Sequence, residues 1–169
     1  PSDDDRDAAP PLPPHTVLLL PGTASGPPVA WTGYRALADL LRERGWAPHF
    51  TGGPGEDAAL EQIAGPHPTI PALPLGAFAV LAHHATAVVG NDSGLTHLAA
   101  AARRAAGHLP FTVHVVFAST DPHRTGPPGA TVHMASSLPE CWPCYRKQCT
   151  LGLTCQAVRP DDVALAIGA

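Results

Sequence analysis

A polar turn between two apolar segments, residues 90–97, carries the side chains of this chain that are best suited to chemistry. Its carboxylate, hydroxyl and imidazole belong to Asp92, Ser93 and His97. Asp92 or Ser93 can cap a following helix, which leaves other amides of the first turn free for an anion. His97 lies about one helical turn after Ser93, so its ring can return to the same cleft. The pattern predicts a ligand-binding site.

The elements around this turn are typical of a parallel α/β sheet. Val88 and Val89 are β-branched and apolar, as a strand covered on both faces requires, and the segment after Gly94 is rich in helix formers. Elsewhere, short apolar segments alternate with helical patterns of about ten residues, which predicts a Rossmann-like, doubly wound sheet. The predicted strands are 15–20, 46–51, 86–90, 111–118 and 131–135, and the predicted helices are 34–44, 56–64, 75–84, 95–106 and 160–167.

Two further loops follow predicted strands, and both carry polar candidates. Thr23 and Ser25 lie in a Pro/Gly loop after the first strand, where they line a ligand cleft or serve as ordinary turn residues. Glu56 follows the loop Gly52–Gly55 after the second strand. A carboxylate at that place commonly binds ribose hydroxyls in dinucleotide folds, and it also favours a helix start. Ligands of open α/β sheets bind at this edge, so we expect these loops to converge.

The C-terminal part of the chain contains four cysteines in the pattern C-x2-C-x4-C-x5-C: Cys141, Cys144, Cys149 and Cys155. Four thiolates at such spacing can enclose a tetrahedral zinc, and a reducing compartment favours metal over disulfides. Packed thiols and disulfides remain alternatives. Any metal here is expected to be structural, and no cofactor is expected to be required for catalysis.

Composition limits the classes of function. The formal net charge is −4 over 169 residues, without a run of Lys or Arg, which argues against nucleic-acid binding. The longest apolar run is far too short for a transmembrane segment. Residues 1–14 are acidic and then proline-rich, and they are predicted to form a flexible lead or linker. Residues 15–169 are predicted to form one domain, with the cysteine-rich tail at 141–155.

The ordered set of motifs resembles the C-terminal domain of glycosyltransferase family 9, the ADP-heptose:lipopolysaccharide heptosyltransferases. The resemblance extends over nearly all of residues 16–167. Its signposts are Leu20-Pro21-Gly22, Trp31, Thr51-Gly52-Gly53-Pro54-Gly55-Glu56, Asn91-Asp92-Ser93-Gly94-Leu95-Thr96-His97, Thr120-Asp121-Pro122 and the cysteine-rich tail.

The resemblance implies a two-domain GT-B enzyme whose C-terminal half binds the nucleotide sugar. It implies ADP-heptose or a related donor, a lipopolysaccharide-type acceptor bound through an N-terminal domain, and inversion at the transferred sugar. It also implies a cytoplasmic location, or a peripheral one at the inner membrane. Asp92 is expected to bind sugar hydroxyls, the amides of Ser93 and Gly94 the diphosphate, and His97 the leaving group. Thr23 and Glu56 complete the expected donor site, in which Asp92 and His97 are the catalytic candidates.

One departure from the family pattern concerns the donor phosphates. The family typically has a lysine two residues before the tryptophan, and this chain has Val29 there. Arg35 and Arg124 are the candidates to replace its charge. A degenerate nucleotide-binding module without catalysis is therefore the alternative hypothesis.

Overall fold

The computed structural model describes residues 1–23, 26, 29–105, 107 and 112–169. Six parallel strands form one sheet in the order β3-β2-β1-β4-β5-β6. The strands are β1 (Thr16–Leu20), β2 (Ala47–Thr51), β3 (Thr69–Ile70), β4 (Ala87–Asn91), β5 (Val113–Val116) and β6 (Thr131–His133). The strand order reverses between β1 and β4, and this switch point is where doubly wound sheets bind ligands.

Helices cover both faces of the sheet. They are α1 (Asp3–Ala8), α2 (Tyr34–Glu43), α3 (Asp57–Ala64), α4 (Leu75–His84), α5 (Gly94–Ala105), α6 (Pro122–Thr125) and α7 (Pro160–Ile167). One buried cluster packs α2, α3 and α7 on the sheet and includes Val17 and Leu19. The other packs α4 and α5 on the opposite face and includes Leu18 and Leu20. Alternate residues of β1 serve the two cores because successive strand side chains point to opposite faces. The predicted doubly wound fold is confirmed.

The helix α2 shows how sequence pattern becomes packing. Tyr34, Leu37, Ala38 and Leu41 recur at helical spacing, and all four are buried. Gly45 then adopts a left-handed φ of 82°, a conformation that costs glycine little and ends the helix.

The N-terminal segment differs from the expected flexible lead because it contains the helix α1. The Ser2 hydroxyl accepts a hydrogen bond from the Asp5 amide, and the Asp5 carboxylate accepts one from the Ser2 amide, which forms a capping box. Asp3, Asp4 and Asp5 in the first turn also suit the positive end of the helix dipole. The division into a lead and a domain stays a prediction.

Other differences are local. The structure adds the short strand β3 and places α6 between the predicted strands 111–118 and 131–135. Asp121 accepts a hydrogen bond from the His123 amide and thereby caps α6. The predicted ends at Ala106 and Phe111 lie outside the described residues. None of the described helices is long and apolar enough to cross a membrane.

Candidate functional site

Three loops meet at the carboxyl edge of the sheet, the edge at which the strands end. They follow β1, β2 and β4, which are neighbours in the sheet, and they surround a cavity of about 470 Å³. That volume lies within the range of small-molecule sites. The cavity is lined by Leu20, Gly22, Thr23, Thr51, Gly52, Gly53, Pro54, Glu56, Leu75, Ser93, Gly94, Leu95 and Leu98. Four predicted donor-binding residues, Thr23, Glu56, Ser93 and Gly94, are therefore brought together.

Asn91, the last residue of β4, anchors this edge from inside the protein. Its side chain is completely buried, accepts a hydrogen bond from the Trp31 amide at 3.0 Å and donates one to the Pro21 carbonyl at 2.7 Å. It thereby ties the β4 turn to both ends of the loop after β1. Sequence reasoning treated Asn91 only as part of the motif, and an amide placed directly after an apolar strand is the signal that could have identified it.

Asp92 and His97 form a hydrogen-bonded pair beside the cavity. His97 Nε2 lies 3.0 Å from Asp92 Oδ1, and the Thr125 hydroxyl donates to Asp92 Oδ2 at 2.8 Å. The Asp92 side chain is 10% exposed and the His97 ring 39%. The carboxylate therefore fixes the orientation of the ring, and Nδ1 is the ring nitrogen left for a ligand. Thr125 is a contact that the sequence did not reveal.

The start of α5 depends on close packing between Gly90 and Thr96. The His97 amide donates to the Ser93 carbonyl at 3.1 Å, and the Ser93 and Thr96 hydroxyls lie 3.1 Å apart. A Cβ at position 90 would lie 2.0 Å from the Thr96 hydroxyl oxygen, so only glycine fits. This packing brings the first turn of α5 against the end of β4.

Glu56 reaches across the two glycine loops. Its Oε2 accepts a hydrogen bond from the Gly53 amide at 2.6 Å. A Cβ at Gly22 would lie 2.3 Å from the same oxygen, and one at Gly52 would lie 2.8 Å from it. The glycines therefore make room for the carboxylate, which is half-buried at the cavity wall.

Thr51 is a cavity residue that sequence reasoning missed as a site residue. It ends β2 and is completely buried, and its hydroxyl oxygen has no hydrogen-bond partner among the described residues. A buried hydroxyl without a partner is costly, so one that lines a cavity is suited to a ligand. Ser25 lies outside the described residues.

The two arginines considered as replacements for a lysine at position 29 have different surroundings. Val29 itself is buried. Arg35 donates to the carbonyls of Gln62 and Ile63 at the end of α3, so its guanidinium is already engaged in hydrogen bonds with α3. The Arg124 guanidinium lies over the Tyr145 ring, 5.2 Å from its centroid, on the helix whose Thr125 contacts Asp92.

The four cysteines are free thiols in the structure. Burial raises the pKa of the Cys155 thiol, and Cys144, Cys149 and Cys141 raise it further. The pKa of Cys149 is lowered, chiefly because the Leu151 amide donates to its sulfur. Across the described ranges, no group of three or more His, Cys, Asp or Glu side chains is arranged to hold a metal ion. The cysteine-rich tail therefore has no preformed metal centre in this structure, and the predicted zinc site stays a prediction.

These features define a Rossmann-like domain with a cavity at the switch point of its sheet. A family model, "Glycosyltransferase family 9 (heptosyltransferase)", matches residues 2–154. The chain is 35% identical over 126 residues to lipopolysaccharide heptosyltransferase 1 of Pseudomonas aeruginosa, an alignment that covers 69% of this chain and 32% of that protein.

Solved structures show the same fold. The E. coli ADP-heptose lipopolysaccharide heptosyltransferase II superposes with a TM-score of 0.67 at 19% identity, over 99% of this chain and 51% of that one. The E. coli heptosyltransferase WaaC with ADP gives 0.59 at 25% identity, over 75% and 38% of the two chains. The chain belongs to glycosyltransferase family 9. It spans about a third of the length of the Pseudomonas protein and about half of the E. coli heptosyltransferase II chain.

Proposed function

We propose that this chain is the donor-binding domain of an inverting glycosyltransferase and that its cleft binds ADP-heptose or a related nucleotide sugar. The observation that carries the proposal is the cavity at the switch point, which Thr23 and Glu56 line together with Ser93 and Gly94 at the start of α5. A solved relative is described with ADP and another with ADP-2-deoxy-2-fluoro heptose, which supports a nucleotide-sugar ligand.

We place the diphosphate at the first turn of α5. The amides there have no partner within the helix, and the helix dipole favours negative charge at this end. Thr23 faces the same space from the loop after β1. Asp92 orients the His97 ring. When Nδ1 of this ring carries a proton, it can donate a hydrogen bond to the departing phosphate.

The nucleoside is placed against the loop after β2. Glu56 uses one oxygen for the Gly53 amide and can accept hydrogen bonds from ribose hydroxyls with the other. Thr51 offers a hydroxyl from the floor of the cavity. Asp92 already accepts two hydrogen bonds, so we assign it chiefly to positioning His97, with lone pairs left for a sugar hydroxyl.

In the proposed reaction an acceptor hydroxyl loses its proton to a base and attacks the anomeric carbon, and the nucleoside diphosphate leaves from the opposite face. The base and the acceptor site are assigned to an N-terminal domain. The name of the Pseudomonas relative supports a lipopolysaccharide acceptor, and with it a cytoplasmic location or a peripheral one at the inner membrane. The reaction uses no metal hydroxide.

Calorimetry with ADP and ADP-heptose tests this proposal, with Glu56→Gln as the site variant and Glu61→Gln as its control. Glu61 lies on the exposed face of α3, outside the cavity lining. We expect the unchanged chain to bind both ligands, Glu56→Gln to bind about tenfold more weakly, and Glu61→Gln to match the unchanged chain. Failure of the folded, unchanged chain to bind at millimolar ligand would contradict the proposal.

The alternative is a degenerate module that binds a nucleotide without catalysis, which buried Val29 favours. Turnover separates the two. Release of ADP from ADP-heptose with a lipopolysaccharide core acceptor, measured with the acceptor domain present, excludes the degenerate module. Tight ADP binding without release of ADP under those conditions supports it.

We also propose a structural metal at Cys141, Cys144, Cys149 and Cys155, a proposal supported by the close spacing of the four cysteines in the sequence. Elemental analysis of freshly purified, reduced protein tests it. One zinc or iron per chain, lost in a Cys144→Ser variant, is the expected result, and metal-free protein would contradict it.

A further inference from the structure

The proposed donor cleft carries negative charge, although its proposed ligand is itself an anion. Among the described residues that line it, Glu56 is acidic and none is Lys or Arg, and Asp92 places a second carboxylate beside it. A nucleoside diphosphate brings further negative charge to the same space. Helix-terminal amides supply only partial positive charges, equivalent to about half an elementary charge. Basic side chains at the rim of the cleft are therefore needed to offset the negative charge of the carboxylates and the diphosphate.

Several basic side chains are engaged elsewhere. Arg6 pairs with Asp3, and Arg35 and Arg44 donate to backbone carbonyls on the α2/α3/α7 face. Arg103 is buried among the carbonyls that precede β4. Arg42 and Arg104 lie in the last turns of α2 and α5, which end at the opposite edge of the sheet.

Arg124 is held at the rim of the cleft by an aromatic ring. Its guanidinium lies 5.2 Å from the Tyr145 centroid, and the Tyr145 hydroxyl accepts a hydrogen bond from the Asp121 amide at 3.3 Å. No carboxylate pairs with Arg124 in the part of the chain that the structure describes. Its neighbour Thr125 contacts Asp92, which directly precedes the cavity residues Ser93 and Gly94. The position suits an anion bound at the start of α5.

The backbone of Lys147, in the cysteine-rich tail, passes close to the loop after β1. The amides of Cys144 and Tyr145 both donate to the Ser119 carbonyl, at 3.1 and 3.2 Å, which fixes the tail beyond the end of β5. The tail then passes the loop after β1, where a Cβ at Gly26 would lie 2.9 Å from the Lys147 carbonyl oxygen. The same loop carries the cavity residues Gly22 and Thr23. The exposed Lys147 side chain therefore starts beside the loop that faces the proposed diphosphate site.

We propose that Arg124, which lies over the Tyr145 ring, and Lys147 supply the positive charge for the donor diphosphate. This inference rests on the proposed function and adds the source of the charge. It assigns to the cysteine-rich tail a direct part in ligand binding, since the tail holds Arg124 through the Tyr145 ring and carries Lys147 itself.

The test is the affinity of the full 169-residue chain for ADP and for adenosine, measured by calorimetry at two salt concentrations. The variants are Arg124→Gln, Lys147→Gln and the double variant, with Arg104→Gln as a charge-matched control at the opposite edge. We expect the double variant to bind ADP at least about tenfold more weakly. Adenosine affinity should stay unchanged, and the salt dependence of ADP binding should become smaller.

Equal ADP affinity in the double variant and in Arg104→Gln would overturn the inference while leaving ADP binding, and so the proposed function, intact. A parallel loss of ADP and adenosine affinity would also overturn it, because the variants would then have disturbed the cleft rather than removed charge. If the unchanged chain binds neither ligand, the proposed function itself fails.

Discussion

The amino and carboxyl edges of the sheet differ in how far their polar side chains are satisfied by hydrogen bonds within the protein. At the amino edge, Arg103 is buried and donates to the carbonyls of Ala82, Ala85 and Thr86 and to the Thr112 hydroxyl, at 2.5 to 3.0 Å. At the carboxyl edge, the Thr51 hydroxyl has no partner among the described residues, and Arg124 is held only against an aromatic ring. One edge is closed by its own hydrogen bonds, whereas the other keeps groups available. The difference separates residues that stabilise the fold from residues suited to a ligand.

The largest expected effect comes from Arg103→Met at the closed edge. Burial lowers the pKa of this guanidinium, but its four hydrogen bonds satisfy the end of α4 and the approaches to β4 and β5. Methionine keeps apolar volume and leaves these acceptors unsatisfied. We expect a loss of about 3–5 kcal/mol in the free energy of unfolding, measured in urea. The neighbouring exposed Arg104→Met should change it by less than about 0.5 kcal/mol; equal effects would remove the contrast between the edges.

A buried histidine pair between the edges predicts an acid-sensitive fold. His114 Nδ1 and His133 Nε2 lie 3.1 Å apart in the core. Burial lowers the pKa of each ring from 6.5 to about 4; His133 further lowers that of His114, whereas Asp162 partly opposes the shift at His133. The unfolded chain therefore binds protons first, so stability is lost as pH falls from about 6.5 toward 4. We expect about 3 kcal/mol less stability at pH 5 than at pH 7.

Unfolding in urea at several pH values measures this slope. The double variant His114→Leu/His133→Leu should show a flatter profile, whereas the exposed His84→Gln should keep the steep one. A steep profile that survives in the double variant would assign the acid sensitivity to other groups.

The smallest expected changes in stability come from two neighbouring residues at the carboxyl edge, Asn91 and Asp92. Asn91 and Asp92 are consecutive, but the side chain of Asn91 is buried and both of its polar atoms are bonded to backbone. Among the described residues, the Asp92 carboxylate bonds only to side chains beside the cleft. We expect Asn91→Ala to cost about 2 kcal/mol and Asp92→Asn less than about 1 kcal/mol in urea unfolding. Asp92→Asn should instead weaken the ligand contacts of His97. A reversed order would show that the motif's carboxylate supports the fold and its amide does not.

Much of the fold was predictable because its signals are local. The apolar stripe of α2 and the β-branched residues of β4 specify their elements within about ten residues, and alternation of strands and helices then specifies a parallel sheet. Convergence of Thr23, Glu56, Ser93 and Gly94 followed from the same rule, since parallel strands end at one edge. The roles of these residues stay predictions.

The rest depended on contacts between distant segments. Nothing local indicates that Thr125 donates to Asp92, 33 residues away, or that Tyr145 lies beneath Arg124. The helix α1 was missed for a different reason. Its capping box at Ser2 and Asp5 is visible in the sequence, but an acidic, proline-flanked segment is equally typical of a linker.

The hydrogen bond from the Trp31 indole to the Val158 carbonyl joins residues 127 positions apart in sequence. The Trp31 amide also binds Asn91, so the loop after β1 is held jointly by the middle and the late part of the chain. Contacts of such long sequence separation slow folding and cannot form during synthesis until both partners have emerged. The proposed donor cleft is therefore expected to be the last part of the domain to mature on the ribosome, after the sheet that supports it.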